Sequence, residues 1–236
     1  MIDGKKIGVV IPAAGKGRRM GGSQDKQFIE IDGKPIIVRT IEQFQSVSEI
    51  DLIILAADPI YFDFLHHLIG EFNLSKVAEI VPGGEKRQDS VWNGLKGMLQ
   101  HKIDAVIIHD AVRPFIRPKL IRQLLEMVLQ HRAAIVAVPP KDTVKYSIEN
   151  GYHETISRDK LWLAQTPQAF AFSLIYSAFE KAFADKFYGT DDASLVERMG
   201  EQIRIIEGSY ENIKITTPED IELAKLILKR QLSGNK

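Results

Sequence analysis

The sequence predicts an α/β protein: a mostly parallel, twisted, Rossmann-like sheet with helices on both faces. Three observations carry this. Four short runs, 7–11 (IGVVI), 52–56 (LIILA), 105–109 (AVIIH) and 133–138 (AAIVAV), are nearly unbroken apolar stretches, as strands buried on both faces must be. Helical patterns fill the intervals between them, the alternation that builds a parallel sheet. The 236 residues fit one α/β domain, which can run to ~250. We read residues 1–236 as a single domain with 141–158 as a protruding β-arm.

The elements follow in order. After the strands at 7–11 and 52–56, Asp58-Pro59 offers a helix cap and a proline for the first helical position, where its missing N–H costs nothing. Ile60, Phe64 and Leu68 then recur at helical spacing. Asp89 or Ser90 can cap a helix carrying Val91, Leu95 and Met98, and Pro118 opens another with Ile121, Leu124, Leu125 and Val128 on one face. The pattern breaks at 143–148 and 152–156, β-prone stretches flanking Glu149-Asn150-Gly151; Asn-Gly in that setting signals a hairpin. It reads as an arm or as an ordinary edge hairpin. A strand is expected at 161–165, a helix at 173–183, and a helix capped by Thr190-Asp191-Asp192 through Met199. Strands are expected at 203–206 and 213–216. The last helix begins at Thr217-Pro218, with Asp220 closing a Thr-x-x-Asp box.

Composition excludes several classes. Lys plus Arg is 31 and Asp plus Glu is 31, so no global field favours nucleic acid or an anionic membrane. Cysteine is absent, which removes disulfides, redox dithiols and thiolate zinc sites. No apolar run approaches the ~18–20 residues of a membrane span. Lys5-Lys6 before 7–14 faintly resembles a secretory leader, but Pro12 and the cations at Lys16, Arg18 and Arg19 argue against one. A cytoplasmic protein is the expectation.

Chemistry concentrates where strands end. The first strand runs into Pro12-Ala13-Ala14-Gly15-Lys16-Gly17-Arg18-Arg19-Met20-Gly21-Gly22, with Lys26 beyond. A glycine-rich turn at that place lets backbone N–H groups approach phosphate oxygens, and four cations suit more than one phosphate. A dinucleotide fingerprint fails at Met20, and no P-loop string occurs. The plain alternative is a basic surface loop. Gly83 to Ser90 (GGEKRQDS) forms a second group, able to read a base edge or simply to turn the chain. His109-Asp110-Ala111-Val112-Arg113-Pro114 is a third; Asp110 suits a metal or substrate, or caps a turn. His109, closing an apolar strand, reads as structural. The histidines lack zinc spacing and no Gly-x-Ser-x-Gly string occurs. Arg158, Thr166 and Lys214 near turns are individually weak signals.

Taken together, IPAAGKGRRM with DKQF, HDAVRPF, DTVK, ISR with LWLAQTPQAF, GTDDASLVE and ENIKITTPED resemble the 2-C-methyl-D-erythritol 4-phosphate cytidylyltransferases, in register over nearly the whole chain. The resemblance implies transfer of CMP from CTP to that alcohol phosphate, a magnesium ion, and a homodimer joined through the arm. It implies that Arg19 and Lys26 stabilise the transition state, and that Arg158 and Lys214 position the alcohol phosphate. Around that substrate it sets Asp110, Arg113, Thr143, Thr166 and Thr190. Around CTP it sets Ala13, Ala14, Gly15, Gly17, Gly84, Glu85, Arg87, Ser90, Asp110 and Ala111. Asp110 stands between the substrates and near the metal, which the nucleotide phosphates mainly hold. One departure is Asp25, where proline is common. A ribitol 5-phosphate cytidylyltransferase, a noncatalytic nucleotide-binding protein and a nicotinamide oxidoreductase are the alternatives. P-A-A-G in the first loop and Ala111 weigh against the first, and Met20 against the last.

Overall fold

The computed structural model describes residues 2, 4–15, 25–148, 151 and 153–233. Its strands are β1 (Ile7–Pro12), β2 (Glu30–Ile31), β3 (Lys34–Pro35), β4 (Leu52–Ala57), β5 (Val77–Pro82), β6 (Ala105–Ile108), β7 (Ala133–Val138), β8 (Val144–Ser147), β9 (His153–Ile156), β10 (Leu163–Ala171) and β11 (Arg204–Glu207). Its α-helices are α1 (Ile36–Gln45), α2 (Phe62–Glu71), α3 (Arg87–Met98), α4 (Pro118–His131), α5 (Phe172–Ala184), α6 (Asp192–Glu197) and α7 (Pro218–Ser233).

Seven strands form one sheet in the order β11-β7-β10-β6-β1-β4-β5. All neighbours are parallel except β10, which runs antiparallel to both β6 and β7. Alternate residues of each strand point to opposite faces, and the core divides accordingly. Ile7, Val9, Ile11, Ile53 and Ile107 pack with α1, α2 and α4. Val10, Ile54, Val106 and Ile108 pack with α3, α5 and α6. A third cluster joins α7 to β2 and Phe115 through Ile31, Ile215 and Ile227. The central strands are apolar throughout because both faces are covered.

Helices α3 and α4 bury the expected stripes, Val91, Leu95 and Met98 in one and Ile121, Leu124, Leu125 and Val128 in the other. Asp220 Oδ2 accepts the N–H groups of Thr216 and Thr217 at 2.8 and 2.9 Å, the expected closure at the start of α7. Asp191 caps α6 by accepting from Ser194 N at 2.9 Å.

Several expectations are corrected. Residues 59–61 form a 3-10 turn capped by Asp58, which shifts the phase of α2. Its buried face is Leu65 and Leu68, while Ile60 is 74% exposed. Helix α3 starts at Arg87, earlier than expected. Asp89 is therefore its third residue and reaches back to accept from Lys86 N at 2.9 Å. Residues 213–216 are not a strand: Ile215 N donates to Val112 O at 2.9 Å, and no sheet edge continues the ladder. The strand expected at 161–165 extends to Ala171 and enters the main sheet antiparallel, with a register shift between Ala164 and Gln168. That irregularity accommodates Pro167, which has no N–H to donate. Helix α1 is an element beyond those expected, with Ile37, Ile41 and Phe44 on its buried face. The hairpin is present: among the described residues β8 pairs only with β9, as a separate two-stranded sheet.

Candidate active site

Strand β1 lies between β4 and β6, and the chain leaves it toward opposite sides of the sheet. Open α/β sheets bind ligands at the carboxyl ends of strands beside such a switch. A cavity of about 700 Å³ opens there. Its walls follow four parallel strands: Ala13 to Gly15 after β1, Asp58 after β4, Gly83 to Arg87 after β5, and Asp110 to Val112 after β6. Lys26 and Lys214 also line it.

The two glycine-bearing loops touch. A Cβ placed on Gly83 would meet the Ala14 methyl at 2.1 Å, so only glycine permits this approach. Gly84 N donates to the buried Ser90 hydroxyl at 3.0 Å, and that hydroxyl donates to Lys86 O at 3.3 Å. Ser90 therefore shapes the Gly84 turn. The loop after β1 is braced from below by Gln27, whose buried amide donates to Ala13 O at 2.8 Å. Sequence reasoning missed Gln27, whose signal was a polar residue inside DKQF, between Lys26 and the core residue Phe28. Lys16, Gly17, Arg18 and Arg19 lie outside the described residues.

Asp110 is the electrostatic centre. It is buried and accepts from Arg87 Nε at 2.9 Å and Lys214 Nζ at 2.9 Å, with Arg113 Nε at 3.6 Å. Burial alone would raise its pKa, but Arg87, Lys214 and Arg113 outweigh that and hold the carboxyl well below the usual range. Arg87 Nη1 and Nη2 also form a bidentate pair with the buried Asp192 at 3.0 and 2.8 Å. Asp192 carried no individual reading in the sequence beyond a cap.

The backbone beneath is equally fixed. Asp110 N donates to Thr166 Oγ1 at 3.0 Å, placing Thr166 under the loop rather than at an open wall. Asn212 donates to Gln165 Oε1 and Thr166 O, and its own carbonyl accepts from Arg113 Nη1 at 2.7 Å. His109 is fully buried, and burial pushes its pKa down to about 3. Its Nε2–H donates to Arg113 O at 3.0 Å, so it is the structural histidine expected.

The remaining sequence candidates stand apart from the cavity wall. Thr143 and Arg158 are exposed beside the hairpin, and Arg158 Nη1 donates to Lys141 O at 2.6 Å. Thr190 is exposed in the turn before α6. That turn is held by Gln88, which donates to Phe187 O at 3.0 Å and accepts from Gly189 N at 2.9 Å.

As a metal ligand Asp110 fits poorly. Both its oxygens face cations, and a divalent ion would compete with Arg87, Lys214 and Arg113. Among the described residues no group of three or more His, Asp or Glu could hold a metal. The cavity lining does suit a polyanion: the glycine turns let a ligand approach the backbone closely, while Lys26 and Lys214 bring charge. No helix among the described residues is long and apolar enough to cross a membrane.

Residues 7–230 match the family model for 2-C-methyl-D-erythritol 4-phosphate cytidylyltransferase. A protein of that name from Geobacillus kaustophilus is 44% identical over 224 residues, covering 95% of this chain and 97% of the relative. One from Geobacter metallireducens is 45% identical over 227 residues, covering 94% and 97%. The crystal structure of a 4-diphosphocytidyl-2C-methyl-D-erythritol synthase from Anaerococcus prevotii superposes with a TM-score of 0.85 at 35% identity, over 96% of this chain and 100% of that one. A Francisella tularensis cytidylyltransferase gives 0.80 at 33%, over 94% and 100%.

Proposed function

The chain belongs to the 2-C-methyl-D-erythritol 4-phosphate cytidylyltransferase family, and on that premise we propose how its residues transfer CMP from CTP to the alcohol phosphate. The products are 4-diphosphocytidyl-2-C-methyl-D-erythritol and pyrophosphate. The attacking atom is a phosphate oxygen, already anionic at neutral pH, so no general base is required. The barrier is repulsion between two highly charged molecules, and the remedy is fixed positive charge held in line.

In our reading CTP lies across the touching loops, against Ala13, Ala14, Gly15 and Gly17 on one side and Gly84, Glu85, Ser90 and Ala111 on the other. Lys26 and Arg19 absorb charge developing at the α-phosphorus and the leaving pyrophosphate. Lys214 and Arg113, beside Asp110, receive the phosphate of the alcohol, with Thr190 nearby. Magnesium enters on the nucleotide triphosphate, as part of the substrate. Arg158 and Thr143 are presented by the hairpin to the site of a second copy, giving a homodimer that acts in the cytoplasm. The whole of 1–236 is one catalytic domain, with 141–158 as its arm.

The observation that carries this reading is the cavity itself: two glycine turns and two lysines meet at the carboxyl ends of the parallel strands. A pyrophosphate-release assay tests it, with CTP against methylerythritol 4-phosphate and ribitol 5-phosphate, and ATP, GTP and UTP as controls. Release with CTP and the first alcohol phosphate is expected. Preference for ribitol 5-phosphate, or no release, would overturn it.

A further inference from the structure

Arg87 spends three of its five N–H donors inside the protein, one from each guanidinium nitrogen. Nη1 and Nη2 clasp Asp192 at 3.0 and 2.8 Å, and Nε donates to Asp110 at 2.9 Å. A planar guanidinium is suited to such a double role because its donors are fixed in direction. Asp192 is buried at the start of α6, so its charge needs this partner. The clasp spans the site. Arg87 opens α3 directly after the Gly83–Gly84 turn, while Asp192 stands two residues beyond Thr190.

The consequence falls on Asp110. That carboxylate faces Arg87, Arg113 and Lys214 together. Were Arg87 absent, Asp110 would draw its whole compensation from Arg113 and Lys214, the two cations that the proposed function reserves for the alcohol phosphate. With Arg87 in place, part of the carboxylate's charge is already met from the far side.

We propose that Arg87 and Asp192 are positioning residues: Asp192 aims Arg87 at Asp110, and Arg87 thereby keeps Lys214 and Arg113 available to the incoming phosphate. The inference rests on the function proposed above and deepens it. Neither residue touches the reacting atoms.

The test compares Arg87→Met, Arg87→Lys, Asp192→Asn and the double variant Arg87→Met/Asp192→Leu in the full chain. KM for both substrates, kcat and the thermal midpoint are measured. Arg87→Met is expected to raise KM for the alcohol phosphate tenfold or more, with KM for CTP within twofold of wild type. Asp192→Asn should do the same more weakly. Arg87→Lys should recover only part of the loss, because an ammonium cannot hold two carboxylates in one plane. The double variant removes a buried pair together, so its thermal midpoint should recover toward wild type while its alcohol-phosphate KM stays high. Recovery of both would mean that the pair only stabilises the fold, and the proposal would fail. Equal rises in both KM values, or none in an active folded variant, would also overturn it. A wild-type chain that releases no pyrophosphate would instead overturn the function on which the proposal rests.

Discussion

The carboxyl ends of the parallel strands and the hairpin arm both supply residues for the alcohol phosphate in our reading, yet they are built in opposite ways. At the strand ends Asp110, Arg87, Asp192, Arg113 and Lys214 form one continuous ionic network over a buried amide layer of Gln165 and Asn212. The arm is nearly all surface. Tyr146, Ile148, Ile156, Trp162 and Leu163 are exposed along it and at its base, and the exposed Arg158 donates to the Lys141 carbonyl. The first region is preorganised by its own fold. The second presents apolar side chains and one guanidinium to the surface, which supports the dimer proposed above.

The largest effect should come from the phosphate cradle. Lys26→Ala and Arg19→Ala are each expected to lower kcat by ~10²–10³, the usual loss for one preorganised donor, with unchanged thermal unfolding. Steady-state rates within threefold of wild type would remove these residues from the mechanism.

Next come Lys214→Ala and Arg158→Ala, each expected to raise KM for the alcohol phosphate roughly tenfold to a hundredfold, as losing a charged hydrogen bond does. The two regions part company on dimerisation. Deleting residues 145–154 should yield a monomer by sedimentation. In that monomer Arg158→Ala should add no further defect, while Lys214→Ala still should. An active dimer after the deletion would end the distinction.

A smaller effect is expected at the loop contact. Gly83→Ala sets a methyl 2.1 Å from that of Ala14, and such overpacking costs ~1–3 kcal/mol. The measurement is a several-fold rise in KM for CTP with a lower thermal midpoint; a neutral result would show that the loops separate freely.

The mildest prediction concerns pH. His109 is held neutral, its pKa pushed down to about 3 by burial. The unfolded chain binds this proton below about 6.5, so the folded state takes it up later. Stability is therefore complete above about 6.5 and falls as pH drops toward 3, by at most about 1.4 kcal/mol per pH unit from this residue. Denaturant melts at pH 7 and pH 5 should show the loss, and His109→Gln should reduce it. Identical slopes in both proteins would assign the effect elsewhere.

Much of the parallel sheet was legible because a strand covered on both faces must be apolar at every position, and 7–11, 52–56, 105–108 and 133–138 are. The glycine turns were legible for a related reason: close backbone approach leaves a mark in residue type. Strand β10 was harder to read. It carries Gln165, Thr166, Pro167 and Gln168 into the sheet interior, where only partners distant in sequence make those groups tolerable. Gln168, for example, is satisfied by Asp191 and the Ala193 N–H.

From the sequence alone came the α/β class, the hairpin and the family. The tertiary structure decided that Asp110 meets Arg87, Arg113 and Lys214, that Arg87 also clasps Asp192, and that the Thr166 hydroxyl accepts from Asp110 N. The physical reason is range. Burial on two faces and tight turns are recorded in adjacent residues, whereas the compensation of Asp110 and Asp192 draws on Arg87, 23 and 105 positions away, which only folding brings within about 3 Å.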